Sequence, residues 1–394
     1  MSLFLSKDEE AFKTKARNFA EDHVIPQANE VEAGKYPREL IRDMGRENLL
    51  GAPFSKSDGG QGLGWVSEVI VAEEISAANA ATEMSRAAST TLYATPLANF
   101  GNSQQKKDFL RPVLAGESIG ALALTEPLAG SDAAGIRTTV AQRADSYVLN
   151  GEKRFITNGG LADQYFLFAI TDRKKGGRRG MSAFLVPRES SGVKVVKAYS
   201  LLGMRGANVA HIRFRNVKLP PENLVGRKNQ GFDILLDELD RERPVVSAEM
   251  LGIARAAYEA ALEYSNKREQ FGRPIREFQA ISFRIADMAV KLEASRLLIL
   301  NSGRLLDMGR SIRKAGAIAK VYATEASFEV ANSALQVHGG IGYTRDTPVE
   351  RYFRDARFMM IGGGTSDIMR HIIQREAYRD LESRSKARKQ VMIR

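Results

Sequence analysis

The sequence predicts an α+β protein in which a β-domain is inserted between two helical regions. Apolar residues recur at helical spacing from Asp8 to about Gly116. The period falls to two between Ser118 and Val225, and long helical patterns return from Asn229 to Glu382. Three domains follow: an N-terminal helical domain over 1–117, a middle β-domain over 118–228 and a C-terminal helical domain over 229–394.

In the first domain, Val69, Val71, Ala72 and Ile75 fall on one helical face with Glu73 and Glu74 opposite. Loops are marked by Pro53 and by Ser57-Asp58-Gly59-Gly60. In the second, the runs Tyr147–Leu149, Tyr165–Ile170, Ser182–Val186 and His211–Arg215 read as strands. Asn150-Gly151 reads as a hairpin turn, because both residues tolerate positive φ. The basic run Arg173–Arg179, between two strand-like runs, reads as an exposed hairpin tip. In the third, Ile281, Ile285, Met288 and Leu292 form one apolar helical stripe. Asn229 is placed to cap the first helix there, and Asp233 suits its first turn. Pro244 interrupts an otherwise continuous helical pattern from Gly231 to Ser265, where an interior proline costs roughly 3 kcal/mol.

The 394 residues hold 43% hydrophobic and 27% charged side chains, ordinary for a soluble globular protein. No apolar run reaches the roughly 18 residues that a membrane helix needs, and the N-terminus lacks the order of a signal peptide. The reading is a soluble, cytoplasmic chain without membrane insertion. With no cysteine, disulfides, thiolate nucleophiles and cysteine-held metals are excluded. The four histidines, His23, His211, His338 and His371, have no metal-ligand spacing, so no metal is expected. The net charge of +11 fits either a nucleic-acid binder or a solvated surface with a basic bias. Basic residues are spread along the chain, with a polar basic tail from Arg384 to Arg394, and the second reading is preferred.

Several segments have the makings of a site. Leu124-Thr125-Glu126-Pro127-Leu128-Ala129-Gly130-Ser131-Asp132 leads out of an apolar run and offers a hydroxyl at Thr125 and open backbone at Gly130. Phe155-Ile156-Thr157-Asn158 follows a strand. Arg268-Glu269-Gln270-Phe271-Gly272 and Phe278-Gln279 surround a helix boundary, and a planar guanidinium at 268 suits phosphate oxygens. Gln336-Val337-His338-Gly339-Gly340 allows close backbone approach to a ligand. Ile361-Gly362-Gly363-Gly364-Thr365 closes the series, and no G-x-G-x-x-G fingerprint follows a strand.

Together these segments resemble the acyl-CoA dehydrogenase flavoenzymes over nearly the whole chain. The resemblance implies that family's fold, with a C-terminal four-helix bundle, and one FAD per chain shared across a subunit interface. It implies flavin contacts from residues 122–131, among them Leu122, Leu124, Thr125, Gly130 and Ser131, and from Phe155 and Thr157. It assigns the pyrophosphate and adenine of a neighbouring subunit's FAD to Arg268, Gln270, Phe271, Phe278, Gln279, Gln336, Gly339 and Gly340, with Thr365 and Asp367 also at the cofactor. Ser131, Asp240 and Arg243 are implied to touch the acyl-CoA substrate. A homotetramer passing electrons to an electron-transfer flavoprotein is the implied setting.

One departure stands out. Most members of that family carry a catalytic glutamate where this chain has Gly363. In the isovaleryl and long-chain members the base comes instead from a Leu-x-x-Glu-Arg segment, and Leu239-Asp240-Arg241-Glu242-Arg243 matches it, 121 residues upstream. Glu242 is thus the expected α-proton base, and Gly363 the expected backbone N–H donor to the thioester oxygen. Burial would raise the Glu242 pKa and Arg243 would lower it. Gly363 is expected to leave room for branched or cyclic acyl groups. The helix Ala81–Leu97 is implied to line the acyl cavity, where Arg86 would pair either with a substrate's distal carboxylate or with Glu83 outside the cavity. Two rival readings stay open: an FAD protein of this fold without dehydrogenase activity, and a basic helical nucleic-acid binder.

Overall fold

The computed structural model describes residues 4–392, with side chains to residue 383. Helices occupy Lys7 to Leu114, a sheet follows, and helices return from Gly231 to Met392. The basic C-terminal stretch continues the Ser366–Met392 helix, and its side chains lie outside the described residues.

The Trp65–Ala78 helix is buried on nearly all sides, so Glu73 and Glu74 do not face solvent as the amphipathic pattern suggested. Arginines from three other helices reach them. Arg255 and Arg296 meet Glu73 at 3.1 and 2.7 Å, and Arg17 and Arg255 meet Glu74 at 3.1 and 2.7 Å. Against the effect of burial, Arg296 and Arg255 together hold the Glu73 pKa below its usual value.

The sheet contains β1 (Gly120–Ala123), β2 (Thr139–Gln142), β3 (Tyr147–Ile156), β4 (Gln164–Ile170), β5 (Met181–Pro187), β6 (Val193–Ala198), β7 (Ala210–Leu219) and β8 (Leu224–Val225). Their spatial order is β6-β7-β3-β2-β4-β5-β8, and β1 runs parallel to the first half of β4. β4 is buried along its whole length, which explains its unbroken apolar run. Asn150-Gly151 is not a hairpin turn. It lies inside β3 at a register shift against β7, where Gly151 takes φ +153. The β2–β3 hairpin closes at 143–146 instead, where the Arg143 N–H donates to the Ser146 carbonyl. The basic run Arg173–Arg179 does join antiparallel β4 and β5, through two short helical turns.

The helix beginning at Gly231 runs unbroken to Lys267, straight through Pro244. The proline ring leaves the Asp240 carbonyl without its helical donor. Asn229 does not cap this helix: it sits at φ +69, and its side chain accepts from Thr171 at 2.9 Å. The long helix packs most extensively against Arg313–His338 and Trp65–Ala78, and with Gln279–Asp307 it forms the C-terminal helical core. The site lies along it. No helix among the described residues is long and apolar enough to cross a membrane.

Candidate active site

Glu242 projects from the long helix into the interior and is 3% exposed. It meets Gly363 in the turn that follows the Val349–Ala356 helix. A Cβ at position 363 would overlap Glu242 Oε1, so the carboxylate of one segment occupies the place of a side chain on the other. The Glu242 carboxylate thus stands in the space beside Gly363. Burial raises the Glu242 pKa, while Lys320 and Arg243 oppose the rise, and burial is the larger influence. Asp240 and Arg243 bind each other at 2.5 Å, and Asp240 also meets Arg313 at 3.3 Å.

Two groups here escaped the sequence reading. Lys320, fully buried, donates from Nζ to the carbonyls of Gly362 (2.7 Å) and Gly364, pinning the turn on both sides of Gly363. Burial lowers its pKa to about 8. The available signal was a lone lysine within Ala315-Gly316-Ala317-Ile318-Ala319 and the residues that follow. Glu238, one turn before Glu242, is 0% exposed, and among the described residues no N–H or hydroxyl group donates to its oxygens. Its spacing of four from Glu242 was the signal.

The 122–131 segment is anchored by Lys153, whose buried ammonium donates to the Leu124 carbonyl and to Glu126, both at 2.8 Å. Glu126 also accepts the Arg137 and Thr138 N–H groups. Leu122, Leu124 and Thr125 are half-buried, and Gly130 and Ser131 are exposed. Phe155 follows on the far end of β3. It is held at φ +57, 61% exposed, and stacked on Tyr199 at 4.8 Å. A bulky residue in the left-handed region with its ring facing out marks a strained, outward-presented surface. The adjoining turn is tied down by Asn158, which donates to the Ser85 and Gly120 carbonyls at 2.9 and 3.2 Å. Thr157 is half-buried between them.

The second group of predicted residues gathers elsewhere. Arg268 ends the long helix and opens a small hairpin, β9 (Glu269–Gln270) and β10 (Arg273–Pro274). Phe271 at its tip is 94% exposed and meets Phe278 edge-on at 6.0 Å; Gln279 then starts the next helix. Tyr264 stacks on His338 at 4.4 Å, so Gln336, Gly339 and Gly340 lie at this same end. Side chains added at Gly339 or Gly340 would meet open space. This end stands about 39 Å along the helix axis from Glu242, at 1.5 Å per residue. Thr365 caps the Ser366 helix by accepting the Ile368 N–H at 3.2 Å, and Asp367 is exposed in that helix's first turn.

Arg86 is buried and bidentate to Glu83, with Glu68 at 2.8 Å on the other side. The pairing with Glu83 is therefore the one formed, and both faces of the guanidinium are taken. Among the described residues, no cluster of histidine and carboxylates could hold a metal.

Comparison with known proteins gives the site its context. Residues 6–117 match the acyl-CoA dehydrogenase N-terminal domain, 121–217 the middle domain and 229–378 the C-terminal domain. The chain is 39% identical to the probable acyl-CoA dehydrogenase YngJ of Bacillus subtilis, covering 95% of this chain and 99% of that one. It is 38% identical to CarC, a subunit of the caffeyl-CoA reductase-Etf complex of Acetobacterium woodii, covering 94% and 98%. The butyryl-CoA dehydrogenase structure from Megasphaera elsdenii superposes with a TM-score of 0.93 at 36% identity, covering 96% and 100%. A chain so matched along its length is an oxidoreductase. It belongs to the acyl-CoA dehydrogenase family.

Proposed function

We propose that this protein uses FAD to dehydrogenate an acyl-CoA thioester to the 2-enoyl-CoA, with Glu242 as the α-proton base. The observation that carries the assignment is the Glu242 carboxylate standing where a side chain at position 363 would begin. Glu242 takes the α-proton and becomes a neutral acid; the β-hydrogen leaves with its electron pair, and the Cα–Cβ double bond forms. When bound, the flavin supplies the hydride acceptor.

The remaining residues position and polarise. Lys320 fixes the turn on both sides of Gly363, which supports the Gly363 N–H as a donor to the thioester oxygen. Asp240 and Arg243 hold each other beside the base and are assigned to the substrate with Ser131. Phe155 and Thr157, with the 122–131 segment, would hold the flavin ring. Arg268, Gln270, Phe271, Phe278, Gln279, Gln336, Gly339 and Gly340 fit the phosphates and adenine of another subunit's FAD. That fit rests on an exposed guanidinium and open glycine backbone at one pole of the helical core. The separation along the long helix supports an assembly in which each cofactor spans two chains, as in a homotetramer. An electron-transfer flavoprotein is the proposed acceptor, supported by the likeness to CarC of an Etf complex.

The test is anaerobic mixing of the FAD-loaded protein with saturating acyl-CoA while the flavin band is followed. Glu242→Gln should retain FAD and bind substrate, yet bleach at least about a hundredfold more slowly, the lower range for loss of a general base. Bleaching at the wild-type rate would remove Glu242 from the mechanism.

A further inference from the structure

We propose that Glu238 is a positioning residue for this base, a carboxylic acid whose O–H donates to the Glu242 carboxylate and holds it toward Gly363. The proposal rests on the reading of Glu242 as the base.

The two residues are four apart on one helix, hence on the same face one turn apart. Both are buried, and among the described residues no N–H or hydroxyl group donates to either Glu238 oxygen. Two ionised carboxylates are acceptors only and cannot bond to each other; a single proton between them turns contact into a hydrogen bond. The nearby arginines are directed to other carboxylates. On the same helix, Arg243 is paired with Asp240, while Asp237 is held by Arg241 at 3.1 Å and by Asn99 at 2.7 Å. From the facing Arg313–His338 helix, Arg313 is directed to Asp240. Lys320, the other cation near Glu242, spends its Nζ on the carbonyls of Gly362 and Gly364.

The protonation pattern agrees. Burial, followed by the neighbouring Glu242 charge, raises the Glu238 pKa well above the usual carboxylate range. The bond from Glu238 in turn restrains the rise at Glu242. Glu238 thus keeps the base ionised at lower pH than burial alone would permit, and fixes which way its free oxygen points.

The experiment compares Glu238→Gln, which keeps an N–H donor, with Glu238→Leu, which removes it. The pH dependence of flavin reduction is measured in both. In Glu238→Leu the acid limb should move to higher pH by about one unit, a roughly tenfold loss on that limb, and the high-pH plateau should fall as the base loses its orientation. Glu238→Gln should stay close to wild type. An acid limb that moves to lower pH would mean Glu238 is ionised and repels the base, and an unmoved limb would mean it is a spectator; either overturns the proposal. Infrared spectra of the resting FAD-loaded protein give a readout without turnover. One buried carboxylic-acid carbonyl band should vanish in Glu238→Gln and persist in Glu242→Gln. Persistence in Glu238→Gln would overturn the proposal even if Glu242 proves to be the base. Full activity of Glu242→Gln would instead overturn the assignment of the base.

Discussion

Gly363 sits at φ +60, where an L side chain costs roughly 1–2 kcal/mol, and it faces Glu242, the proposed base. Gly363→Ala should therefore lose flavin reduction through displacement of Glu242, out of proportion to a modest fall in melting temperature. Both are checked by stopped-flow and calorimetry on the same preparation. For the same reason a carboxylate moved to position 363 needs space: Gly363→Glu should recover partial activity with Glu242→Ala, and less with the bulkier Glu242→Gln. Lys320→Met tests the opposite side of the base. Its cation favours the ionised carboxylate, so removal should raise the Glu242 pKa further and move the acid limb of the rate profile upward. The meeting of Glu242 with Gly363 was legible in the sequence, because a glycine at one position and a glutamate at the other form a pair of signals. Glu238 and Lys320 were not, because a helical charge run looks alike whether its face meets water or a neighbouring helix.

Strands β3 and β4 show which elements a pattern can announce. β4 was legible as the strand-like run Tyr165–Ile170. Within β3, Asn150-Gly151 has the chemistry of a two-residue turn, but pairing with both β2 and β7 keeps the strand going and turns the extra residue into a bulge. Gly151 is needed there: at φ +153 a Cβ would press on the Thr138 backbone and hydroxyl. Gly151→Ala should destabilise the protein by about 1–3 kcal/mol, as overpacking does, measured by denaturant midpoint. Because β3 ends in Phe155, FAD affinity should fall with it. The Trp65–Ala78 helix misled in the other direction. Its glutamates imply a wet face only if no arginine from elsewhere reaches them, and Arg17, Arg255 and Arg296 do.

Several acidic groups among the described residues lie inside the protein. Burial raises Glu83 and Asp355 each to about 7, and Glu249, whose carboxylate oxygens have no protein partner, rises well above the usual range. Between pH 4.5 and about 7 the folded chain holds protons that the unfolded chain has released, so these groups lower stability as pH rises. Buried Lys153 and Lys320, lowered to about 8, work the other way above that pH. Replacing Glu249 with glutamine removes one such proton: the melting temperature of Glu249→Gln should gain on wild type steadily from pH 5 to 8. An unchanged difference would show that Glu249 is ionised in the fold.

The long helix carries Glu242 near one end and Arg268 at the other, and the proposed cofactor spans two chains. A Glu242→Gln chain would then lack the base at its own site while lending a sound phosphate clamp to its neighbour's. An Arg268→Ala chain has the reverse defect. Neither homogeneous assembly should turn over well, yet co-expressing the two should bring activity back by complementation. With random pairing across a two-fold interface, about a quarter of the sites would be intact. Two broken genes would together make a working enzyme, because the unit that performs the reaction is larger than the chain that encodes it.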